Sequence, residues 1–195
     1  MPSAISSGAL PVATYPRLYQ LVSTLAPGSS EVGLAKLVVP YLVDVWLSDY
    51  GRYASTLDVL ETRSADFSYL FDVAAERLVA AWGVSRGRHS GARDASRMAG
   101  HPNSVGPLHH RGHAIPHTLG GPTDINLVPQ LGRINIGPFR PLEKQAVATP
   151  GSLYFTYWTY LDSAPVRGHP GQTPTGVDQG LLISGQSPLI QHHDN

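Results

Sequence analysis

Proline is distributed very unevenly along this chain of 195 residues, and its distribution limits where long helices can form. Five prolines fall in residues 1–40, none in residues 41–101, and twelve from residue 102 onward. A proline inside a helix removes a backbone hydrogen bond and clashes with the preceding turn. Long helices are therefore expected before residue 102, and short strands and turns after it.

Two segments before residue 102 have the apolar spacing of helices. Residues 31–50 are apolar on most sides and are expected to be helical, with Pro40 near the helix start or at a kink. A second helix of about five turns is predicted between Ser64 as its cap and Gly83 as its stop. Its apolar residues recur at helical spacing: Phe67, Leu70, Phe71, Ala74, Leu78 and Trp82. Residues 1–83 are therefore predicted to be a helical N-terminal segment that packs on the rest of the chain or docks on a partner.

The proline-rich part begins with signals for two short strands and a helix. Leu108–Pro116 and Asn126–Gln130 are each the length of one strand, and Gly120 and Gly121 begin a turn between them. Pro141 suits the first turn of a helix. The expected order is therefore strand, strand, helix.

Two further strands are expected nearer the C-terminus. Residues 153–161 are aromatic and β-branched, which is the strongest strand signal in the chain, and residues 177–184 are the expected partner. Residues 108–195 are thus predicted to form an α+β core on an antiparallel sheet. Residues 84–107, rich in glycine, serine and arginine, are expected to be a basic linker or surface loop.

Charge is also unevenly distributed, although the chain has 14 basic and 14 acidic residues in total. Residues 84–145 contain eight basic and three acidic residues, net +5, whereas residues 1–83 contain five and eight, net −3, and residues 146–195 contain one and three, net −2. Lysine and arginine near phosphates release counterions and attract a polyanion. The middle of the chain therefore favours a nucleic-acid partner. The alternative is an arginine-rich loop without a ligand, since twelve of the basic residues are arginine.

Several classes of protein and site are disfavoured by what the chain lacks. It contains no cysteine, so a disulfide framework, a thiolate zinc site and a cysteine nucleophile are excluded. The first ten residues lack the basic and apolar regions of a secretory signal. The most apolar run, Leu37–Leu47, covers about half of the ~20 residues that span a bilayer. No membrane association is expected. The location itself is left open between the cytoplasm and delivery by a specialised secretion system.

Between residues 110 and 143 the chain carries the side chains that phosphodiester hydrolysis needs. His113, as a neutral imidazole with an ordinary pKa of about 6.5, can take a proton from an attacking water. Asn135 offers a neutral oxygen to a hard cation such as Mg²⁺, and Glu143 can hold water around that cation. Arg111 shares a strand face with His113 and can bind a phosphate. Each residue alone also has a structural explanation, such as a packed histidine, a turn-forming asparagine or a helix-start glutamate.

The joint spacing of these residues is more specific than any one of them. The motifs are His110-Arg111-Gly112-His113, Asn126-Leu127-Val128-Pro129-Gln130, Asn135, and the run Ile136-Gly137-Pro138-Phe139-Arg140-Pro141-Leu142-Glu143. Together they resemble the DNA/RNA non-specific endonucleases of the ββα-metal, or His-Me finger, class. The match covers about 34 residues well and extends loosely to about residue 185.

The resemblance implies a sugar-nonspecific endonuclease that depends on Mg²⁺, with Mn²⁺ as a substitute, and leaves 5′-phosphate ends. It also implies a ββα core on an antiparallel sheet. By the same resemblance, His113 would be the general base and Asn135 the direct metal ligand. Glu143 would order metal-bound water, Arg111 would contact a phosphate, and Asn126 would orient the site. Arg133 and Arg140 are further candidates for phosphate contact.

The chain departs from the family pattern at two positions. The family often begins its motif with aspartate, where this chain has His110, and Phe139 replaces a common tryptophan. His110 is therefore assigned a structural or orienting role. The short gap between His113 and Asn126 is similar to that of compact C-terminal domains of bacterial toxins. This similarity implies an interbacterial toxin or effector, with an immunity protein as partner.

Two alternatives remain open at the level of sequence. Four histidines fall within nine residues, with a fifth nearby, and could hold zinc: His109, His110, His113 and His117, with His101. Pro107 and Pro116 bracket this segment and Gly112 interrupts it, so one helix cannot present them all. The second alternative is a non-catalytic protein of the same fold that binds nucleic acid or serves as a scaffold.

Overall fold

The computed structural model of this chain describes residues 13–25, 30–54, 57–92, 96, 106–160 and 170–195. The helices are α1 (Leu18–Ser23), α2 (Glu31–Tyr50), α3 (Gly132–Asn135) and α4 (Arg140–Ala148). The strands are β1 (Val59–Ser64), β2 (Phe67–Asp72), β3 (Arg77–Val84), β4 (His109–His113), β5 (Leu127–Leu131), β6 (Leu153–Thr159), β7 (Gly176–Leu182) and β8 (Leu189–Asp194). Short 3-10 helices occupy His117–Leu119, Asp124–Asn126 and Pro170–Gln172. Much of the expected linker, including His101, lies outside the described residues.

An antiparallel sheet of six strands, in the order β1-β2-β3-β6-β7-β8, forms the centre of the described structure. β6 pairs with β7 from Leu153↔Leu182 to Thr159↔Gly176, so the predicted pairing of these two segments is confirmed. Strands β4 and β5 form a separate two-stranded antiparallel sheet, called the site hairpin below. The α+β class with an antiparallel sheet is therefore confirmed.

The helix predicted between residues 64 and 83 is wrong, because this segment forms strands β2 and β3. Between them the chain turns without glycine or proline: the Asp72 carboxylate accepts a hydrogen bond from the backbone N–H of Ala75, at 3.0 Å, and Glu76 adopts a φ of 51°. The apolar residues fit a helical period, but they lie on two strands that are buried on both faces of the sheet. The helical description of residues 1–83 fails for β1 as well.

Helix α2 spans Glu31–Tyr50, which confirms the helix predicted for residues 31–50. Its first turn is capped by Ser30, whose side chain accepts a hydrogen bond from the backbone N–H of Gly33 at 3.2 Å. Pro40 lies in the middle of the helix, so a position near the helix start is wrong. None of the helices in the described ranges is long and apolar enough to cross a membrane.

Helix α2 covers one face of the sheet. Trp46 is fully buried, and its ring lies 5.6 Å from that of Trp82 and 5.3 Å from that of Phe155. Alternate residues of a strand face opposite sides, so Trp158 points to the other face, where its ring lies 6.3 Å from that of Phe139. Both faces of β6 are therefore buried, one under α2 and the other under the chain that leads into α4.

The chain between β3 and β6 contains the site hairpin, α3 and α4. Strands β3 and β6 are nevertheless direct neighbours in the sheet. The described residues between them therefore lie outside the sheet, and the chain re-enters it beside β3. Strand, strand and helix follow one another in the order expected from the sequence, and Pro141 lies in the first turn of α4 as predicted. This excursion carries all the predicted site residues.

Candidate active site

The site hairpin positions the side chains of Arg111 and His113. In its register Arg111 is opposite Pro129 and His113 is opposite Leu127. Arg111 and His113 are two residues apart on β4, so their side chains leave the same face of the strand. Both line one small cavity.

This cavity has a volume of about 120 Å³ and is called the central cavity below. It brings together five residues that the sequence singled out, from β4, α3 and α4: Arg111, His113, Asn135, Arg140 and Glu143. Pro116, His117 and Thr118 complete its lining. Side chains up to 32 residues apart along the chain therefore meet around a volume large enough for a few water molecules.

His113 ends β4 and is only 8% exposed. Its ring lies 6.2 Å from the ring of His117 and nearly perpendicular to it, and the ring of His117 lies 5.8 Å from that of His89. The three imidazoles thus form a row that runs from the buried end of β4 to exposed His89. His117 lines the central cavity, although the sequence suggested it only as part of a zinc site.

The glycine between Arg111 and His113 is required by close packing inside the hairpin. A Cβ atom at Gly112 would lie 2.3 Å from Oε1 of Gln130, which is the side chain of the opposite strand. Any larger residue would push the strands apart. Gly112 therefore keeps the hairpin narrow enough for β4 to present its two functional side chains.

Asn135 is the last residue of α3 and is half-buried. Its Nδ2 lies 3.5 Å from Nδ1 of His110, a long contact that places the His110 ring against the carboxamide. Gly132 makes room for that ring, since a Cβ there would lie 2.6 Å from Nε2 of His110. His110 does not line the central cavity itself, so its place is behind Asn135.

Glu143 lies in the first turn of α4, and Arg140 precedes it by three residues on the same helix face. Both side chains line the central cavity. Burial, and then the negative charge of Glu143, raise the pKa of the Tyr154 hydroxyl well above its usual value. The Tyr154 hydroxyl on β6 therefore keeps its proton near neutral pH.

Asn126 lies outside the central cavity and holds the loop that follows β4. It is fully buried. Its Oδ1 accepts a hydrogen bond from the backbone N–H of Ile115 at 2.7 Å, and its Nδ2 donates to the carbonyls of Ile115 at 2.8 Å and Pro122 at 2.9 Å. These contacts set the path of the chain immediately after His113.

Arg133 is exposed on α3 and is not among the residues that line the central cavity. The structure therefore separates it from the other two arginines that the sequence proposed as phosphate contacts. Arg111 and Arg140 both reach the cavity from different elements.

Two anchors of this region carry no recognisable signal in the sequence. The side chain of Asn195 accepts a hydrogen bond from the backbone N–H of Leu131 at 2.8 Å and donates to the carbonyls of Pro129 and Pro174, both at 2.9 Å. Gln179 on β7 donates to the carbonyl of Phe139 at 2.9 Å. Asn195 ties β5 to the sheet, and Gln179 ties the start of α4 to the sheet.

The central cavity contains side chains with oxygen donors. Asn135 and Glu143 supply one amide and one carboxylate to the same cavity, and these are oxygen donors of the kind that Mg²⁺ accepts with several waters retained. Within the described ranges no group of three or more histidine, aspartate or glutamate side chains is close enough to hold a metal. The geometry of the four described histidines therefore gives no support to the zinc alternative.

Chemically, the cavity combines two imidazoles, a carboxylate, an amide and two guanidinium groups. Because neither a scan against protein-family models nor a search of curated proteins finds a match to this chain, its function has to be inferred from these groups.

Proposed function

We propose that this chain is a metal-dependent endonuclease that hydrolyses phosphodiester bonds of DNA, RNA or both. The observation that carries the proposal is the meeting of Arg111, His113, Asn135, Arg140 and Glu143 around one cavity of about 120 Å³. The same residue types at the same spacing underlie the resemblance to the ββα-metal nucleases. Sequence motif and tertiary convergence are separate observations, and both favour the same chemistry.

His113 is the general base of the proposed reaction. Its imidazole takes a proton from a water molecule, whose oxygen attacks phosphorus while the bond from phosphorus to the 3′ oxygen breaks. The departing 3′ oxygen takes a proton from water, and the products are then a 5′-phosphate and a 3′-hydroxyl. His113 ends β4 with 8% of its surface exposed and lines the central cavity, where the attacking water would meet it.

Asn135 and Glu143 would hold the divalent cation, Mg²⁺ or Mn²⁺. When bound, the cation supplies positive charge for the transition state and for the departing oxygen. His110 lies against the Asn135 carboxamide and keeps it in place. Glu143 would accept hydrogen bonds from the water around the cation, and its negative charge would face the cation.

Arg111 and Arg140 bind the non-bridging oxygens of the scissile phosphate. A guanidinium group remains charged at any physiological pH and offers two parallel N–H donors to a phosphate. Because these arginines come from β4 and α4, they can hold the phosphate from two sides. The orientation of the phosphate toward His113 follows from this two-sided contact.

The proposal is tested by cleavage of supercoiled plasmid and of RNA with Mg²⁺ or Mn²⁺. Wild-type protein is expected to cleave, and a chelator is expected to stop cleavage. The variant His113→Ala should lose at least ~10²-fold in rate, the usual scale for removal of a general base. The matched control is His89→Ala, which removes an exposed imidazole that does not line the central cavity and should retain near-wild-type cleavage.

Two results would contradict the proposal. One is a wild-type protein that binds DNA but cleaves neither substrate with either metal, which would instead support a non-catalytic nucleic-acid-binding protein. The other is equal activity of His113→Ala and His89→Ala. Thermal unfolding of both variants separates loss of chemistry from loss of the fold.

The similarity to compact toxin domains extends the proposal to a biological role. As an interbacterial toxin or effector, the enzyme would need an immunity protein that blocks the central cavity before delivery. Loss of viability in a bacterial host that produces the wild-type chain, but not in one that produces His113→Ala, is the expected result.

A further inference from the structure

A second cavity lies beside the central cavity. It has a volume of about 320 Å³ and shares three lining residues with the central cavity: Thr118, Arg140 and Glu143. Arg88, Lys144 and Val147 complete its lining. Because three lining residues are common to both, the two cavities are adjoining parts of one groove. The second cavity is called the basic cavity below.

Helix α4 forms one wall of the basic cavity. Its lining residues on α4 are Arg140, Glu143, Lys144 and Val147. They are spaced i, i+3, i+4 and i+7, which places them on one face of the helix. The groove therefore follows α4 for about two turns away from His113.

The opposite wall comes from the chain after β3, and hydrogen bonds hold it in position. The backbone N–H of His89 donates to the carbonyl of Thr118 at 2.8 Å. The hydroxyl of Ser85 donates to the carbonyl of Ala146 on α4 at 2.7 Å and accepts from the backbone N–H of Gly87 at 3.1 Å. Arg88 lies between these two tethers, so its backbone is held across the groove from Lys144.

A third cavity of about 300 Å³ adjoins the central cavity on the Arg111 side. It shares Arg111 with the central cavity and is lined otherwise by Asp124, Gln172 and residues of β5 and its neighbours. The charged groups in its lining are one arginine and one aspartate. The central cavity thus lies between two larger cavities of unequal charge.

The basic cavity carries more positive charge than the third cavity, which indicates that a polyanion would bind along the basic cavity. Arg88, Arg140 and Lys144 are exposed and surround it, with Glu143 as the acidic group of its lining. Two cations on α4 and one on the opposite wall create a positive field that attracts phosphates and is screened by salt. A nucleic acid with its scissile phosphate in the central cavity would place the next phosphate of its backbone along this wall.

We infer that Arg88 and Lys144 bind a backbone phosphate next to the scissile one. This inference rests on the proposed nuclease function. Neither residue belongs to the central cavity, so their removal should weaken binding of a long substrate without changing the chemical step. The expected signature is a raised KM with an unchanged kcat.

Binding is measured first, with a chelator present so that no cleavage occurs. The probe is a fluorescent single-stranded DNA of about 20 nucleotides, titrated between about 50 and 200 mM salt. Loss of the contact to one phosphate lowers the slope of log affinity against log salt by about 0.7 on a single strand, so Arg88→Ala/Lys144→Ala should lower it by about 0.7. Over this salt range the affinity of wild-type protein should fall about 2.6-fold more than that of the double variant.

The matched control is Arg63→Ala/Lys36→Ala. It removes the same two side-chain types from exposed positions on β1 and α2, and neither residue lines any of the three cavities. The net charge of the two double variants is identical. A wild-type salt slope is expected for this control.

Cleavage of two substrates then distinguishes an effect on phosphate binding in the basic cavity from an effect on the chemical step. With Mg²⁺, Arg88→Ala/Lys144→Ala should show a raised KM on the oligonucleotide and wild-type rates on bis(4-nitrophenyl) phosphate, which has a single phosphate and offers no second one to the basic cavity. Equal losses on both substrates would overturn the inference, as would a wild-type salt slope or a slope change matched by Arg63→Ala/Lys36→Ala. Absence of cleavage of both substrates by wild-type protein would overturn the proposed function, while the binding slopes would still decide whether the basic cavity holds phosphate.

Discussion

The central sheet and the site hairpin differ in how they are held. Every residue of β6 and β7 is buried, whereas β4 has three half-buried residues and β5 alternates half-buried and buried positions. The sheet gains its stability from apolar and aromatic contacts on both faces. An isolated two-stranded hairpin is marginally stable, so the site hairpin needs other support.

That support comes from side-chain amides. Asn126 makes three hydrogen bonds to the loop after β4, and Asn195 makes three that join β5 to the chain near Pro174. Hydrogen bonds of this kind fix a backbone path without covering it with apolar surface. The difference between the regions therefore follows their tasks, because a half-exposed hairpin can present polar groups to a substrate and a fully buried sheet cannot.

The largest effect is expected from Trp46→Ala in the layer between α2 and the sheet. This change removes a fully buried ring with three aromatic neighbours and should lower the free energy of unfolding by about 3–5 kcal/mol. Urea denaturation measures it. Tyr19→Ala is the control, because Tyr19 is 64% exposed and its loss should stay within about 0.5 kcal/mol. Similar values for both variants would show that this layer does not hold the sheet.

A smaller and more local effect is expected from Asn126→Ala. It leaves three buried backbone groups without partners and should cost about 1–3 kcal/mol. Amide hydrogen exchange should show loss of protection in the site hairpin, with protection in β6 and β7 retained. Asn135→Ala removes the same atoms from a position with a single 3.5 Å contact, and should change stability by less than about 0.5 kcal/mol. Equal loss of protection in hairpin and sheet after Asn126→Ala would contradict the separation of the two regions.

The smallest effect is a pH dependence that arises where the sheet meets the chain leading into α4. His193 on β8 packs 5.5 Å from the ring of Phe139, and burial, followed by the positive charge of His192, lowers the pKa of His193. The unfolded chain therefore binds the proton more tightly than the folded one, and stability should fall as the pH drops below about 6.5, by at most ~1.4 kcal/mol per pH unit from this group. His193→Gln should show a shallower decrease in urea denaturation between about pH 7 and 5. A decrease as steep as that of wild-type protein would assign it to other groups.

Much of the chain after residue 108 could be predicted from local patterns. The two strands, the turn between them, the proline at the start of α4 and the aromatic strand β6 all lie where the sequence placed them, because proline, glycine and β-branched residues restrict the backbone locally. Helix α2 was also predictable, since its cap at Ser30 and its length are local properties.

The segment that forms β2 and β3 could not be assigned in the same way. Its apolar residues satisfy a helical period, and the turn between the strands depends on the Asp72 side chain in place of glycine or proline. What selects strands is the partner on each side, β1 for β2 and β6 for β3. A preference that depends on residues about 70 positions away cannot be read from a local window.

The sequence by itself determined which chemical groups are available, and that Arg111 and His113 lie on a strand and Glu143 on a helix. Only the tertiary structure decided that Arg111, His113, Asn135, Arg140 and Glu143 line one cavity, that Arg133 does not, and that Arg88 and Lys144 extend the same groove. The physical reason is the range of the interactions. Backbone preferences act over a few residues, whereas the cavity depends on hydrogen bonds and packing between segments far apart in the chain, such as Asn195 with β5 and Gln179 with the start of α4.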